Sequence, residues 1–263
     1  MASTPPLTGR TLLAVFAHPD DESLVSGGVL AWCAALGARV VLLCASHGEH
    51  GPNPDLAQPL APRRAAELDA AARSLGIDEV ILLNHEDGML PWVDDAAIDA
   101  DISAAILRVR PDVVVTFDED GLYWHPDHIA IHDRTTAVVA ALGATAPALY
   151  YAAMPVGAMR AVHDAALGRR TGGEGPLRIL GIADPDAFGA SAPAATLVLD
   201  ASAFAERKLA ALRCHRSQLT DDALELLTQA DAHLLGIEHY RRAPVGAPGD
   251  TFLEHLADAR IPA

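Results

Sequence analysis

Cysteine is scarce in this chain, which has three: Cys33, Cys44 and Cys214. An odd number set inside apolar patterns excludes a disulfide framework and reads as buried free thiols in a reducing cytoplasm. Basic residues are scarce too, with 19 Lys and Arg against 35 Asp and Glu, a formal net charge of −16. They gather no further than pairs such as Arg63-Arg64, Arg169-Arg170 and Arg241-Arg242. Phosphate-rich partners are repelled by such a balance, so neither nucleic acid nor an anionic membrane surface is expected as a partner. No apolar stretch exceeds strand length, which argues against a transmembrane helix. Met1 to Arg10 has Pro5-Pro6, no basic start and no apolar run, so no signal peptide is expected. The glycine fingerprint of dinucleotide binding is also missing. Gly27-Gly28 fall well after the first apolar run, inside an expected helix.

The 263 residues, 51% hydrophobic and 21% charged, are enough for one large globular domain. Short apolar runs at 11–17, 39–45, 80–83 and 113–117 lack polar alternation, the pattern of strands covered on both faces. Helix-length segments at 23–36, 62–75 and 95–109 lie between them. Two end at Gly37 and Gly76 and the third just before Arg110-Pro111. Strand–helix alternation with right-handed crossovers predicts an α/β fold: a Rossmann-like, doubly wound, mostly parallel sheet with helices on both faces. A helix from Pro126 to about Leu142, strands at 149–153 and 196–199 and a helix at 203–213 follow. Gly- and Pro-rich 168–193 reads as loops. The whole chain is taken as one domain, with a core over about 10–153 and a C-terminal part, loops and helix, over 154–263.

Chemistry concentrates after two strands. His18-Pro19-Asp20-Asp21-Glu22 follows the first, where open α/β sheets bind ligands. Three consecutive carboxylates repel one another unless a cation sits among them. His18 and Asp21, three apart, can be aimed at one point, which leaves Asp20 for proton transfer and Glu22 for the helix start. The plainer reading is an Asp-rich helix cap. His125-Pro126-Asp127-His128 follows the fourth strand, and His128 can complete a His-Asp-His set, the donor type of catalytic zinc with an open position. His132, one turn on, reads as structural.

These two segments resemble the PIG-L/LmbE family of zinc-dependent N-deacetylases. The likeness is strong over about 12–132 and weaker over Lys208–Gln218. It implies a Zn2+ ion, with Fe2+ or another divalent ion as substitute, held by His18, Asp21 and His128. It implies Asp20 as general base, His125 acting on the tetrahedral intermediate or the leaving amine, and Tyr123 as an oxyanion donor. Arg64 matches a substrate-holding arginine, with Arg63 leaving the register open by one. Glu49, in Ser46–Gly51, matches a loop bordering the pocket, and Asp87, in the Glu86-Asp87-Gly88 turn, is a candidate sugar-binding edge. Asp127 is expected to orient a neighbouring histidine. The implied activity is removal of an N-acetyl or larger N-acyl group from a small amino sugar or related molecule. Alternatives are an amidase acting on thiol conjugates, a non-haem iron enzyme and a non-catalytic binding protein. A homo-oligomer is compatible with the sequence.

Overall fold

The computed structural model describes residues 7–168, 178, 182–189, 193–219 and 235–257. Seven strands form one sheet in the order β3-β2-β1-β4-β5-β7-β6. Strands β1 (Thr11–Phe16), β2 (Arg39–Ser46), β3 (Glu79–His85), β4 (Val113–Phe117) and β5 (Ala148–Ala153) all run parallel. β7 (Ile237–Gly246) is antiparallel to β5 and to β6 (Leu197–Asp200). Helices α1 (Asp21–Ala35), α2 (Leu60–Leu75) and α7 (Ala205–Leu212) pack together on one face, and α3 (Asp95–Val109) and α5 (Pro126–Ala141) on the other. A kinked turn, α4 (Gly121–Trp124), precedes α5; α6 (Ala158–Leu167) follows β5, and α8 (Phe252–Ala257) lies near the C-terminus.

The unalternating runs are buried as their composition requires. Leu12 to Phe16 and Val40 to Cys44 have almost no exposed surface. β3 differs: all but one of its residues are half-buried, because it ends the sheet with a partner on one side only. Gly76 closes α2 in the left-handed conformation, and Arg110 does the same for α3 with φ 52° ahead of Pro111. α1 begins two residues earlier than its sequence pattern shows, and the 203–213 helix is split into a 3-10 turn and α7. Most of the expected 168–193 loop lies outside the described residues; a 3-10 turn at Pro185–Ala187 lies within them.

β7 and α6 have no counterpart in the sequence reading. β7 carries polar residues at inward positions: Glu238 is buried, accepting hydrogen bonds from Lys208 Nζ (2.7 Å) and Tyr240 Oη (3.0 Å). It also accepts from the main-chain N–H of Gly28 (2.8 Å) and Val29 (2.9 Å) in α1.

From β1 the chain winds outward to β2 and β3 on one side, and β4 takes the other flank. The loops leaving β1 and β4 therefore flank the point where strand order reverses, the usual ligand crevice of this architecture.

Candidate metal centre and its cleft

Both loops carry unusual backbone. Among the described residues the non-glycine positions with positive φ are Asp20, Arg110, Leu122 and Trp124. Three of these four lie in the β1–α1 and β4–α5 loops, and such conformations persist only where surrounding contacts impose them.

The loops bring His18, Asp21 and His128 together. His18 Nδ1 lies 3.2 Å from His128 Nε2 and 3.5 Å from Asp21 Oδ2, and His128 Nε2 lies 3.2 Å from Asp21 Oδ1. Tetrahedral donors at zinc-type bond lengths of 2.0–2.1 Å sit roughly 3.3–3.4 Å apart, so the spacing and chemistry of the set fit such an ion. The outer contacts fix the ring tautomers. His128 Nδ1 donates to the Gly121 carbonyl (3.1 Å), leaving Nε2 as an acceptor. His18 Nε2 faces Asp127 Oδ2 at 3.0 Å and Asp87 Oδ1 at 3.1 Å, leaving Nδ1 to face Asp21 and His128.

Two other donor groupings are close enough for a cation: His18–Asp87–Asp127 and His18–His125–His128. The first is already engaged elsewhere. Asp127 accepts from the N–H of Gly88 (2.7 Å) and Leu90 (3.2 Å), and Asp87 Oδ2 from the N–H of His50 (2.9 Å). In the second, Asp127 N–H donates to His125 Nδ1 (3.2 Å), which places the ring proton on Nε2. Those carboxylates thus accept from main-chain donors, and His125 presents an N–H at Nε2.

The buried imidazoles and carboxylates shift one another's titration. Burial pushes the His18 imidazole down, but the carboxylates of Asp127, Asp21 and Asp87 outweigh it and hold its pKa well above the ordinary value. Burial pushes Asp21 up, yet His128 and His18 hold it well below the carboxylate range. Asp20 is raised to about 6, by burial first and by repulsion from Asp21, with Arg64 opposing. His125 is lowered to about 4 by burial and the neighbouring His128 and His18.

A cavity of about 280 Å³ opens onto this centre, and His18, Asp20, Asp21, Arg64, Asp87, Tyr123 and His125 all line it. The register at the arginine pair resolves: Arg64 points inward, while Arg63 pairs with Glu67 on the surface side. The Arg64 guanidinium holds Asp20 Oδ2 (3.0 Å), the Pro19 carbonyl (2.5 Å) and the Gly48 carbonyl (2.7 Å). A Cβ at Gly48 would collide with that guanidinium, and its φ of +62° independently favours glycine. Glu49 does not line the cavity; its Oε1 accepts from Asp87 N–H (3.0 Å), so it supports the wall. Tyr123 packs against His125, His128 and Phe188. His132 Nδ1 binds the Phe117 carbonyl, away from the cleft.

Gln218 and Ile182 line the cavity without having been singled out from sequence. Gln218 ends the Lys208–Gln218 stretch, so its signal was available; Ile182 had none. Asp20 occupies the N-cap position of α1 yet makes no side-chain cap hydrogen bond, so the plain helix-cap reading of the acidic run does not hold there.

The family described as "PIG-L: GlcNAc-PI de-N-acetylase" matches residues 13–139. A 1D-myo-inositol 2-acetamido-2-deoxy-alpha-D-glucopyranoside deacetylase from Acidothermus cellulolyticus is 35% identical over 88% of this chain and 88% of its own. The chain belongs to the PIG-L family. Two solved structures share the fold of this PIG-L chain. An N,N'-diacetylchitobiose deacetylase from Pyrococcus horikoshii has a TM-score of 0.65 at 21% identity, covering 89% of this chain and 84% of that one. A 4-carboxy-2-hydroxymuconate hydratase from Pseudomonas putida has a TM-score of 0.63 at 17% identity, covering 92% and 99%. The fold thus carries more than one chemistry, and the side chains of this PIG-L member must decide its own.

Proposed function

We propose that this chain is a metal-dependent hydrolase that removes the N-acetyl group from a small glucosamine glycoside, with an inositol-linked glucosamine as the first candidate. The observation that carries this is the His18–Asp21–His128 set, with the unligated carboxylate of Asp20 beside it in one cleft. The similarity to a deacetylase of an inositol-linked N-acetylglucosamine supports the substrate class. Zinc is the favoured ion on donor type; when bound it polarises the amide carbonyl and lowers the pKa of water toward about 7.

The chain's own groups supply the rest. Asp20 accepts a proton from the attacking water at its carboxylate, which Arg64 holds in place at 3.0 Å. His125, with its proton on Nε2 and its pKa lowered, is a neutral donor to the developing oxyanion, and Tyr123 is a second. Asp20, raised to about 6, then returns the proton to the departing amine nitrogen. Asp127 fixes the ring of His18, and Asp87 and Gln218 face the sugar from the cavity wall. Three free cysteines, two of them buried, support a reducing compartment, the cytoplasm, as the place of the reaction.

A panel of N-acetylglucosamine glycosides, with acetate release and free amine both measured, tests the reading. Equal amounts of both products, abolished by a chelator and restored by zinc, are expected. No amide cleavage anywhere in the panel by the zinc-loaded chain would overturn it.

A further inference from the structure

Asp20 stands at the N-cap of α1, where an aspartate ordinarily turns back to accept from its own helix. Here it does not: φ 121° and ψ −27° swing the carboxylate into the cleft, and only its carbonyl caps, accepting from Ser23 N–H (3.1 Å) and Leu24 N–H (3.0 Å). Something must hold the main chain in that conformation. Glu22 Oε2 accepts the Asp20 N–H at 3.0 Å. Its other oxygen, Oε1, takes the Ser23 hydroxyl (2.5 Å) and His215 Nε2 (2.8 Å). Glu22 and His215 are both buried. The His215 turn is itself pinned to the helix that carries Arg64, since Ser217 N–H and Oγ donate to Glu67 at 3.0 and 2.6 Å. Asp20 is thus gripped at its carboxylate by Arg64 and at its main chain by Glu22, and both grips lead to one clamp between α2 and the end of α7.

We infer that His215, acting through Glu22, is a positioning residue that keeps Asp20 turned out of its helix cap and into the cleft. The consequence for turnover rests on Asp20 being the base; the conformational claim does not. Without His215 the Glu22 carboxylate is free to rotate, the Asp20 N–H loses its fixed acceptor, and the Asp20 side chain falls back toward the first turn of α1. The cation ligands come from other contacts, so they stay.

The test compares His215→Ala and Glu22→Ala with His215→Gln and Glu22→Gln. The alanine variants are expected to lose roughly 10- to 100-fold in kcat, with KM and cation content per chain unchanged. The glutamine variants, which keep a donor to Glu22 or an acceptor for Asp20 N–H, should recover most of the rate. A crystal structure of His215→Ala should show Asp20 φ moved to negative values. If His215→Ala is not obtained folded, His215→Asn, too short to reach Glu22, takes its place. Asp20 retaining φ near 121° in that structure overturns the proposal. So do a kcat within twofold of wild type and a loss of rate that only tracks loss of cation. A wild-type chain that hydrolyses no N-acyl amine defeats the deacetylase reading alone, because the backbone angle still decides the role of His215.

Discussion

Replacing Asp127 with Asn exchanges one oxygen of a fully buried carboxylate for an NH2, and the structure sets what that exchange is worth. Asp127 faces three N–H groups: His18 Nε2 at 3.0 Å, Gly88 N at 2.7 Å and Leu90 N at 3.2 Å. An amide offers one oxygen, so its NH2 must point at a donor whichever way it is flipped. If Oδ1 stays the oxygen, Leu90 keeps its acceptor while His18 and Gly88 lose theirs, and the His18 ring is left with Asp87 alone to orient it. Loss of such an outer partner typically weakens metal affinity by about 10- to 100-fold, or about 1.4–2.7 kcal/mol. If Oδ2 stays the oxygen instead, His18 and Gly88 keep it and the buried Leu90 N–H is stranded, at about 1–3 kcal/mol of stability, and the melting temperature falls by about 2–4 °C per kcal/mol for a chain of this size. Zinc competition against a fluorescent chelator reads the first outcome and thermal denaturation of the metal-free chain reads the second. One of the two must move. An Asp127→Asn protein with affinity within twofold of wild type and an unchanged melt would refute the assignment of Asp127 as the group that orients His18.

Asp20→Asn should keep bound cation, measured by elemental analysis, while turnover drops by about 100-fold or more; a full rate would show that the base lies elsewhere. Lys208→Met strands Glu238 without its 2.7 Å partner and should cost about 3–5 kcal/mol, read by urea denaturation, with Lys208→Met/Glu238→Gln recovering part of it. The His215–Glu22 pair links stability to pH. Burial pushes His215 down, but Glu22 more than offsets this and raises its pKa above the ordinary value, while His215 in turn lowers that of Glu22. The His215 contribution is complete below about pH 6.5 and fades as pH rises through its raised folded pKa. The Glu22 contribution is present above about pH 4.3 and fades as pH falls through its lowered one. His215→Ala should therefore be most destabilised relative to wild type between those values, and the gap should narrow toward pH 9; a gap that widens on raising the pH contradicts the pairing.

The parallel half of the sheet was legible because burial on both faces writes itself as unbroken apolar runs, as at 11–17 and 113–117. The two loops were legible because carboxylates and histidines rarely crowd behind such runs without reason. β7 was not, since its buried positions are filled by Glu238 and Tyr240, whose partners come from α7 and α1 and leave no periodic trace. The acidic run was read correctly as dense with carboxylates, but the division of labour within it depends on φ at Asp20, which residue identity does not encode. Arg63 and Arg64 could be told apart only by which side of α2 faces Gly48.

His18, Asp21 and His128 all lie in the first half of the chain, whereas His215 comes 194 residues after Asp21 and Glu238 later still. The clustered histidines and carboxylates of the cleft are therefore made well before the residue that grips Glu22.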